Sequence, residues 1–208
     1  MLKKVIFITG SNGEMGQALI QKLNQKNIYN ILTLDLDSSL RKYKIEKFFK
    51  GSILDKKLLN TIHENYTITK IYHLAAILST KAEKNIQLAN DVNIKGTKNI
   101  LQLAIKQGKK QNKSIQFFFP SSIAVYNVDV KNYKSINETM IDKIPITIYG
   151  KAKLKCEKMG FECMQNNASI DFRSIRFPGI ISASSIPSGG TSDYVPEMIH
   201  HAAKNLPY

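Results

Sequence analysis

Short apolar runs alternate along the chain with stretches whose apolar residues recur every three or four positions. Six runs have the length of buried strands, at 5–8, 31–34, 47–49, 71–76, 115–119 and 170–175. Between them, Met15, Leu19 and Leu23 have the spacing of a helix that buries one face, and 91–105 forms a longer helical pattern. The alternation predicts an α/β fold, a doubly wound parallel sheet with helices on both faces.

A glycine-rich stretch separates the first strand from the first helix. It comprises Gly10, Asn12, Gly13, Glu14, Met15 and Gly16. Glycines here allow a tight turn, close approach of the backbone to a pyrophosphate and close packing of helix on strand, and the helix N-terminus attracts phosphate. The stretch predicts a dinucleotide site in a Rossmann-like domain; the alternative is an ordinary strand-to-helix turn.

Asp35 ends the second predicted strand and follows Gly10 by 25 positions. A carboxylate about 20 residues beyond the glycines accepts the adenosine ribose hydroxyls and repels a 2′-phosphate. We therefore expect NAD rather than NADP as the cofactor. Arg41 and Lys42 are the counter-argument, and a simple turn residue is the alternative.

Tyr149 and Lys153 are four residues apart and share one face of a predicted helix, downstream of Ser122 at the end of the fifth strand. A free phenol has a pKa near 10, and a cation about 4 Å away in an effective dielectric of about 20 would lower it by roughly 3 units. The pattern predicts proton removal from an alcohol by Tyr149, with hydride transfer to nicotinamide. Ser122 would hold the substrate oxygen.

The Gly-x-x-Gly-x-x-Gly spacing together with Tyr149 and Lys153 resembles the extended short-chain dehydrogenases/reductases, the NAD-dependent epimerase/dehydratase branch. The resemblance implies further cofactor-binding positions: Ser52, Ile53, Leu74, Ala75, Ala76, Asn93, Tyr149, Lys153 and Pro178. Ser52 stands where this branch often has an Asp that contacts adenine. The Asn93 position often holds a water near the lysine.

Four segments, 74–79, 120–125, 176–182 and 189–194, resemble the short-chain type of L-threonine 3-dehydrogenase. That resemblance implies oxidation of the secondary alcohol of L-threonine to 2-amino-3-oxobutanoate. The substrate would be bound by Ser79, Ser122, Tyr149, Thr191 and Asp193. A sugar-nucleotide epimerase or dehydratase is one alternative, and a non-catalytic NAD-sensing or RNA-binding member is another.

The chain has 208 residues and a formal net charge of +14. The lysines are scattered, and the densest group, 106–113, is expected to be a solvated turn. We attribute the charge to compositional drift and expect no nucleic-acid partner. The absence of any apolar run near 18 residues predicts no membrane span. We expect no metal site, with His73 a packed residue.

The expected organisation is an NAD-binding domain at 1–177 and, at 178–208, the start of a small C-terminal substrate lobe that is cut short. Cys156 and Cys163 are expected to be free thiols in a reducing, cytoplasmic setting. The resemblance also implies a homodimer through the helices that carry Asn93 and Tyr149. Leu154, Met159 and Phe161 would be available apolar residues near that surface.

Overall fold

The computed structural model describes residues 2–37, 43–127, 135–140, 144–181 and 194–208. The strands are β1 (Lys4–Thr9), β2 (Ile31–Asp35), β3 (Lys47–Lys50), β4 (Thr67–His73), β5 (Ile115–Ser122) and β6 (Ile170–Phe177). The helices are α1 (Glu14–Gln25), α2 (Lys56–Asn65), α3 (Ser79–Lys84), α4 (Ile86–Ala89), α5 (Thr97–Gln111), α6 (Ile148–Asn166) and α7 (Tyr194–Ala203). A π-helix (Asn90–Gly96) precedes α5, and a 3₁₀ turn (Ile123–Val125) follows β5.

The six strands form one sheet in the order β3-β2-β1-β4-β5-β6, and every neighbouring pair is parallel. The chain moves outward from β1 through β2 to β3 and then returns to pair β4 with the other side of β1. This reversal opens a crevice at the carboxyl ends of β1 and β4, where Thr9 lies opposite His73. The predicted Rossmann-like fold is confirmed.

The side chains of successive residues in β1 lie on opposite faces of the sheet, because the strand is pleated. Phe7 belongs to a large core with Ile71, Phe117 and Phe172, to which α2, α5 and α6 contribute. Ile8 belongs to a smaller core with Ile20 and Leu23 of α1 and with Ile31. Burial on both faces is why these strands read as continuous apolar runs.

The clearest differences from the predicted elements concern the fourth strand, the helical pattern at 91–105 and the turn at 106–113. The fourth strand starts earlier, at Thr67, and ends at His73 rather than at residue 76. Beyond it, the N–H and C=O of Ile77 bond to the side chain of Asn93, so the segment leaves the sheet. The helical pattern at 91–105 begins as the π-helix, and Lys106, Lys109 and Lys110 lie on α5 rather than in a turn.

Side-chain caps define where two helices begin. Asp55 accepts the N–H groups of Lys57 and Leu58 at 2.9 and 3.0 Å and starts α2. Thr147 accepts the N–H of Gly150 at 2.9 Å and starts α6, which fixes the first turn of the helix that carries Tyr149. By contrast, no side-chain hydrogen bond caps α1 at Gly13.

Within the described ranges, no helix combines the length and apolar character that crossing a membrane requires. The same residues hold no group of three or more His, Cys, Asp or Glu side chains placed to bind a metal ion. Cys156 and Cys163 are free thiols, as predicted.

Candidate cofactor and substrate site

A cavity of about 540 Å³ lies at the carboxyl ends of the strands. Each strand except β1 brings a wall residue at or just after its end: Asp35, Ser52, Leu74, Ser122 and Phe177. The loop after β1 supplies the glycines. One continuous cavity therefore joins the predicted nucleotide-binding residues to the predicted catalytic residues.

The glycine loop lies at the centre of the cavity wall. Gly10 has a φ of +68°, and a Cβ there would lie 2.5 Å from the amide nitrogen of Ala75, so only glycine fits. Gly13, Glu14, Met15 and Gly16 line the cavity at the start of α1. Because α1 has no side-chain cap, its first N–H groups remain available to an anion.

Asp35 is oriented by the backbone at one end of the cavity. Its Oδ2 accepts the N–H of Asn12 at 2.8 Å, and its Oδ1 accepts the N–H of Leu36 at 2.7 Å. Asn12 itself does not line the cavity, since its side-chain amide bonds to the carbonyl of Asp37. The backbone of Asn12 helps to hold Asp35, and a contact of Asn12 with the cofactor stays a prediction.

Ser52 and Ile53 lie beside Asp35 and complete this end of the cavity. The hydroxyl of Ser52 accepts the N–H of Leu54 at 3.1 Å. The carbonyl of Ile53 accepts a hydrogen bond from the side chain of Asn99 at 3.1 Å. Ile53 is buried and presents an apolar surface to the cavity.

The floor of the cavity is the segment after β4, where Leu74, Ala75 and Ala76 line the wall. Asn93 does not line it. Its Oδ1 accepts the N–H of Ile77 at 2.7 Å and its Nδ2 donates to the carbonyl of Ile77 at 3.0 Å. The Asn93 side chain thus helps to hold the floor, and its contact with the cofactor stays a prediction.

His73 is a packed residue, as predicted. Thr97 Oγ1 donates its one proton to the carbonyl of Asn93 at 2.6 Å, so it accepts from His73 Nε2 at 2.9 Å. His73 Nδ1 therefore accepts from Thr9 Oγ1 at 2.7 Å. Burial lowers the pKa of His73 to about 3, which keeps the ring neutral in this tautomer.

Ser122, Tyr149 and Lys153 line the cavity at the end away from Asp35. The hydroxyl of Ser122 accepts the N–H of Ala124 at 3.1 Å. Lys153 is 4% exposed; its Nζ donates to the carbonyl of Pro120 at 2.6 Å and lies 5.4 Å from the centroid of the Tyr149 ring. The packing thus brings together residues from β5 and α6.

The pKa of Tyr149 is shifted in the direction opposite to the expected one. Burial raises the pKa of Tyr149 to about 12, where a lowered value was expected. Burial also lowers the pKa of Lys153 to about 8. The cause is burial, which takes both groups out of water and disfavours the phenolate and the ammonium alike.

Ser79 is buried at the start of α3 and lines the cavity near the catalytic end. Pro178 lines it just after β6. Thr191 and Asp193 lie outside the described residues.

Several wall residues were not predicted from the sequence. Apolar side chains line the substrate end, namely Leu78, Leu88, Val92, Phe177 and Ile180. Leu88 and Val92 are four residues apart just before Asn93, a spacing that could have indicated them. Ser121 also lines the wall, and its buried hydroxyl has no hydrogen-bond partner within the described ranges.

The cavity fits NAD on these observations. The glycine cradle and the uncapped α1 suit a pyrophosphate, and the oriented carboxylate of Asp35 suits a ribose diol. Ser121 offers an unused hydroxyl further along the wall.

Comparison with known proteins gives related enzymes. The chain is 36% identical over 205 residues to the mitochondrial L-threonine 3-dehydrogenase of Bos taurus, covering 96% of this chain and 52% of the relative. A monomeric L-threonine 3-dehydrogenase from a metagenome is 36% identical with a TM-score of 0.77, covering 95% of this chain and 61% of that one. An L-threonine dehydrogenase from Cupriavidus necator, in its holo form, is 32% identical with a TM-score of 0.81, covering 98% and 64%.

The chain thus spans about half the length of its bovine relative. A family model for the NAD-dependent epimerases/dehydratases matches residues 6–208, nearly the whole chain. NAD is the cofactor of that family, in agreement with the cavity's fit to the dinucleotide. By its sequence, its sheet order and its relatives, the chain belongs to the NAD-dependent epimerase/dehydratase family.

Proposed function

We propose that the protein oxidises L-threonine at its secondary alcohol to 2-amino-3-oxobutanoate, with NAD as the hydride acceptor. The observation that carries this proposal is the convergence of Ser122, Tyr149 and Lys153 at one end of a cavity whose other end presents Asp35. The relatives that bear the name L-threonine 3-dehydrogenase support the choice of substrate.

Asp35 and the start of α1 would hold the adenosine ribose and the pyrophosphate. When bound, the nicotinamide ring supplies the hydride acceptor and a positive charge near the reacting alcohol. Ala75 and Ala76 are small enough for this half of the cofactor to lie against the floor.

The N–H of Ala124 uses only a lone pair of the Ser122 hydroxyl. The hydroxyl proton would therefore be donated to the substrate oxygen. Tyr149, as phenolate, would take the proton of the substrate hydroxyl while the hydride leaves the carbon that bears this hydroxyl, so the alcohol becomes a ketone. Lys153 stabilises the phenolate electrostatically. With a pKa of about 12, Tyr149 depends on that ammonium and on the bound cofactor's charge to serve as a base.

L-Threonine also carries an ammonium and a carboxylate. Asp193 would pair with the ammonium, and Ser79 and Thr191 would donate to the carboxylate. The apolar side chains of Leu88, Val92 and Ile180 are suited to the substrate's methyl group and exclude water from the transfer.

We further propose that β6 closes the NAD-binding domain at residue 177 and that 178–208 begin the substrate lobe. The homodimer stays a proposal, and its expected surface needs correction. Leu154 is buried and Met159 packs on the core, while Phe161 is 42% exposed. The free thiols fit a reducing compartment such as the cytoplasm.

The experiment that tests the proposed function follows NADH formation by the full-length protein with a panel of amino acids and UDP-sugars. We expect L-threonine to give the highest kcat/KM. Turnover of UDP-sugars in place of threonine would identify a sugar-nucleotide enzyme instead.

A further inference from the structure

Arg176, near the end of β6, joins three separate segments of the chain. Its Nε and Nη2 donate to the two carboxylate oxygens of Glu157 on α6, at 3.0 and 2.8 Å. Its Nη1 donates to the hydroxyl of Tyr126 at 2.9 Å and to the carbonyl of Glu138 at 2.8 Å. The guanidinium carbon also lies 4.9 Å from the centroid of the Tyr126 ring.

The pair that Arg176 forms with Glu157 is largely shielded from water. The side chain of Glu157 is 4% exposed and that of Arg176 is 15% exposed. A shielded carboxylate needs a partner that satisfies both of its oxygens, and a planar guanidinium does so with two parallel N–H groups. The geometry of the pair is therefore restrictive, and a lysine could not reproduce it.

The two side chains that Arg176 connects lie on the two elements that build the catalytic end. Tyr126 follows Ser122 by four residues, across the 3₁₀ turn. Glu157 follows Lys153 by one helical turn and Tyr149 by two. Arg176 thus bridges the segment that carries Ser122 and the helix that carries Tyr149.

A second contact between the Ser122 segment and α6 lies in the first turn of the helix, beside Tyr149. Gly150 packs so closely on the 3₁₀ turn that a Cβ there would overlap the carbonyl oxygen of Ala124. The Ser122 segment is therefore held against α6 by Gly150 beside Tyr149, by the bond from Lys153 to Pro120, and by Arg176 further along the helix. Fixed points spread along the helix determine both the distance and the angle between the segments.

We infer that Arg176 is a positioning residue that sets the separation of the Ser122 hydroxyl and the Tyr149 phenol. The inference rests on the proposed function for the importance of that separation. Both groups must reach one substrate oxygen, and a displacement of about 1 Å in such a site can cost roughly a hundredfold in rate. The guanidinium acts through the groups that it binds, because Arg176 itself does not line the cavity.

Arg176→Lys keeps the positive charge and removes the planar guanidinium with its two parallel N–H groups. We expect kcat to fall ten- to a hundredfold while the Kd for NAD changes less than threefold, because the nucleotide-binding end is untouched. Tyr126→Phe keeps the ring and removes one hydroxyl, and we expect a three- to tenfold fall in kcat. Arg173→Lys is the matched control: Arg173 lies on the same strand, and its ion pair is exposed and joins it to Asp171 of that strand.

Hydrogen–deuterium exchange measures the positioning without any turnover. In Arg176→Lys, with NAD present, peptides that contain the amides of Ala124 and Tyr126 should exchange faster than in the wild type or in Arg173→Lys. Melting temperatures identify a variant that fails to fold, and Tyr126→Phe then carries the test.

Unchanged exchange in these peptides, or faster exchange with wild-type kcat, overturns the inference. If the wild-type protein oxidises none of the compounds tested, the proposed function fails by itself. The exchange data then decide whether Arg176 holds the Ser122 segment against α6.

Discussion

The Nζ atom of Lys153 lies 5.4 Å from the centroid of the Tyr149 ring, and a 2.6 Å bond to the carbonyl of Pro120 holds it there. The two residues share one face of α6, and the helix is pressed against the end of β5. This packing places a cation beside the phenol and removes both groups from water. The pKa of each group shifts in the direction that disfavours its charged form.

The buried ammonium lowers the stability of the ligand-free protein. The pKa of Lys153 is about 8 in the folded chain against 10.5 as its ordinary value. The folded state therefore binds fewer protons between these values, and the cost is fully present below pH 8. Lys153→Met should raise the free energy of unfolding at pH 7 by about 2 kcal/mol, which is about 3 gained from the pKa difference less about 1 for the unpaired Pro120 carbonyl.

Thermal and urea unfolding of ligand-free Lys153→Met check this gain, which should shrink as the pH rises from about 8 towards 10.5. Lys151→Met is the control, because Lys151 is exposed on another face of α6.

Turnover and NAD affinity should both fall in Lys153→Met, since the ammonium is expected to reach the nicotinamide ribose. A less stable Lys153→Met would mean that its hydrogen bond and ring contacts outweigh the desolvation.

Tyr149→Phe should remove turnover and leave NAD affinity within about threefold of the wild type. The ring keeps its packing, and only the hydroxyl that exchanges the proton is lost. Initial rates and dinucleotide titration on the same preparation separate the two effects. Substantial residual activity would assign the base to another group.

The wild-type rate should rise with pH up to about 8 as the Tyr149 phenol ionises in the cofactor complex, while the Lys153 ammonium is still charged. The pKa of about 12 belongs to the ligand-free protein, and a bound positive charge moves it downward. A kcat profile that is flat between pH 6 and pH 10 would argue against a titrating phenol.

Asp35→Ser should weaken NAD binding and relax the preference against NADP. The change removes a carboxylate that two backbone N–H groups orient towards the cavity. Calorimetric titration with both dinucleotides measures the preference, with Asp37→Ser as the control because Asp37 is an exposed neighbour. Equal affinity of the wild type for both dinucleotides would contradict the role of Asp35.

Asp193→Asn should reduce kcat/KM for L-threonine about ten- to a hundredfold, because one charge-assisted contact of roughly 1.5–3 kcal/mol is lost. NAD affinity should not change. A wild-type kcat/KM in this variant would place the ammonium contact on another residue.

The parts of the site that depend on strand ends could be predicted from the sequence. Asp35 and Ser122 end apolar runs, and parallel strands bring their carboxyl ends to one edge. The spacing of Tyr149 and Lys153 likewise determines that they share a helix face. These predictions need only the local pattern and spacing of residues along the chain.

Other features depend on packing between distant segments and could not be predicted. The bond from Lys153 to Pro120 exists because α6 lies on β5, and the burial that comes with this packing raises the pKa of Tyr149, contrary to expectation. The resemblance assigns Asn93 to the cofactor site, and the bonds from its side chain to the N–H and carbonyl of Ile77 could not be foreseen. No local pattern indicates which backbone a buried amide will meet.

The most direct test of the proposed function uses L-threonine that carries deuterium on C3. The full-length protein is incubated with this substrate and NAD, and the reduced cofactor is analysed by mass spectrometry. Our account predicts reduced nicotinamide that carries the deuterium, formed by the wild type and not by Tyr149→Phe. Reduced cofactor without deuterium, or the same labelled product from Tyr149→Phe at the wild-type rate, would contradict it.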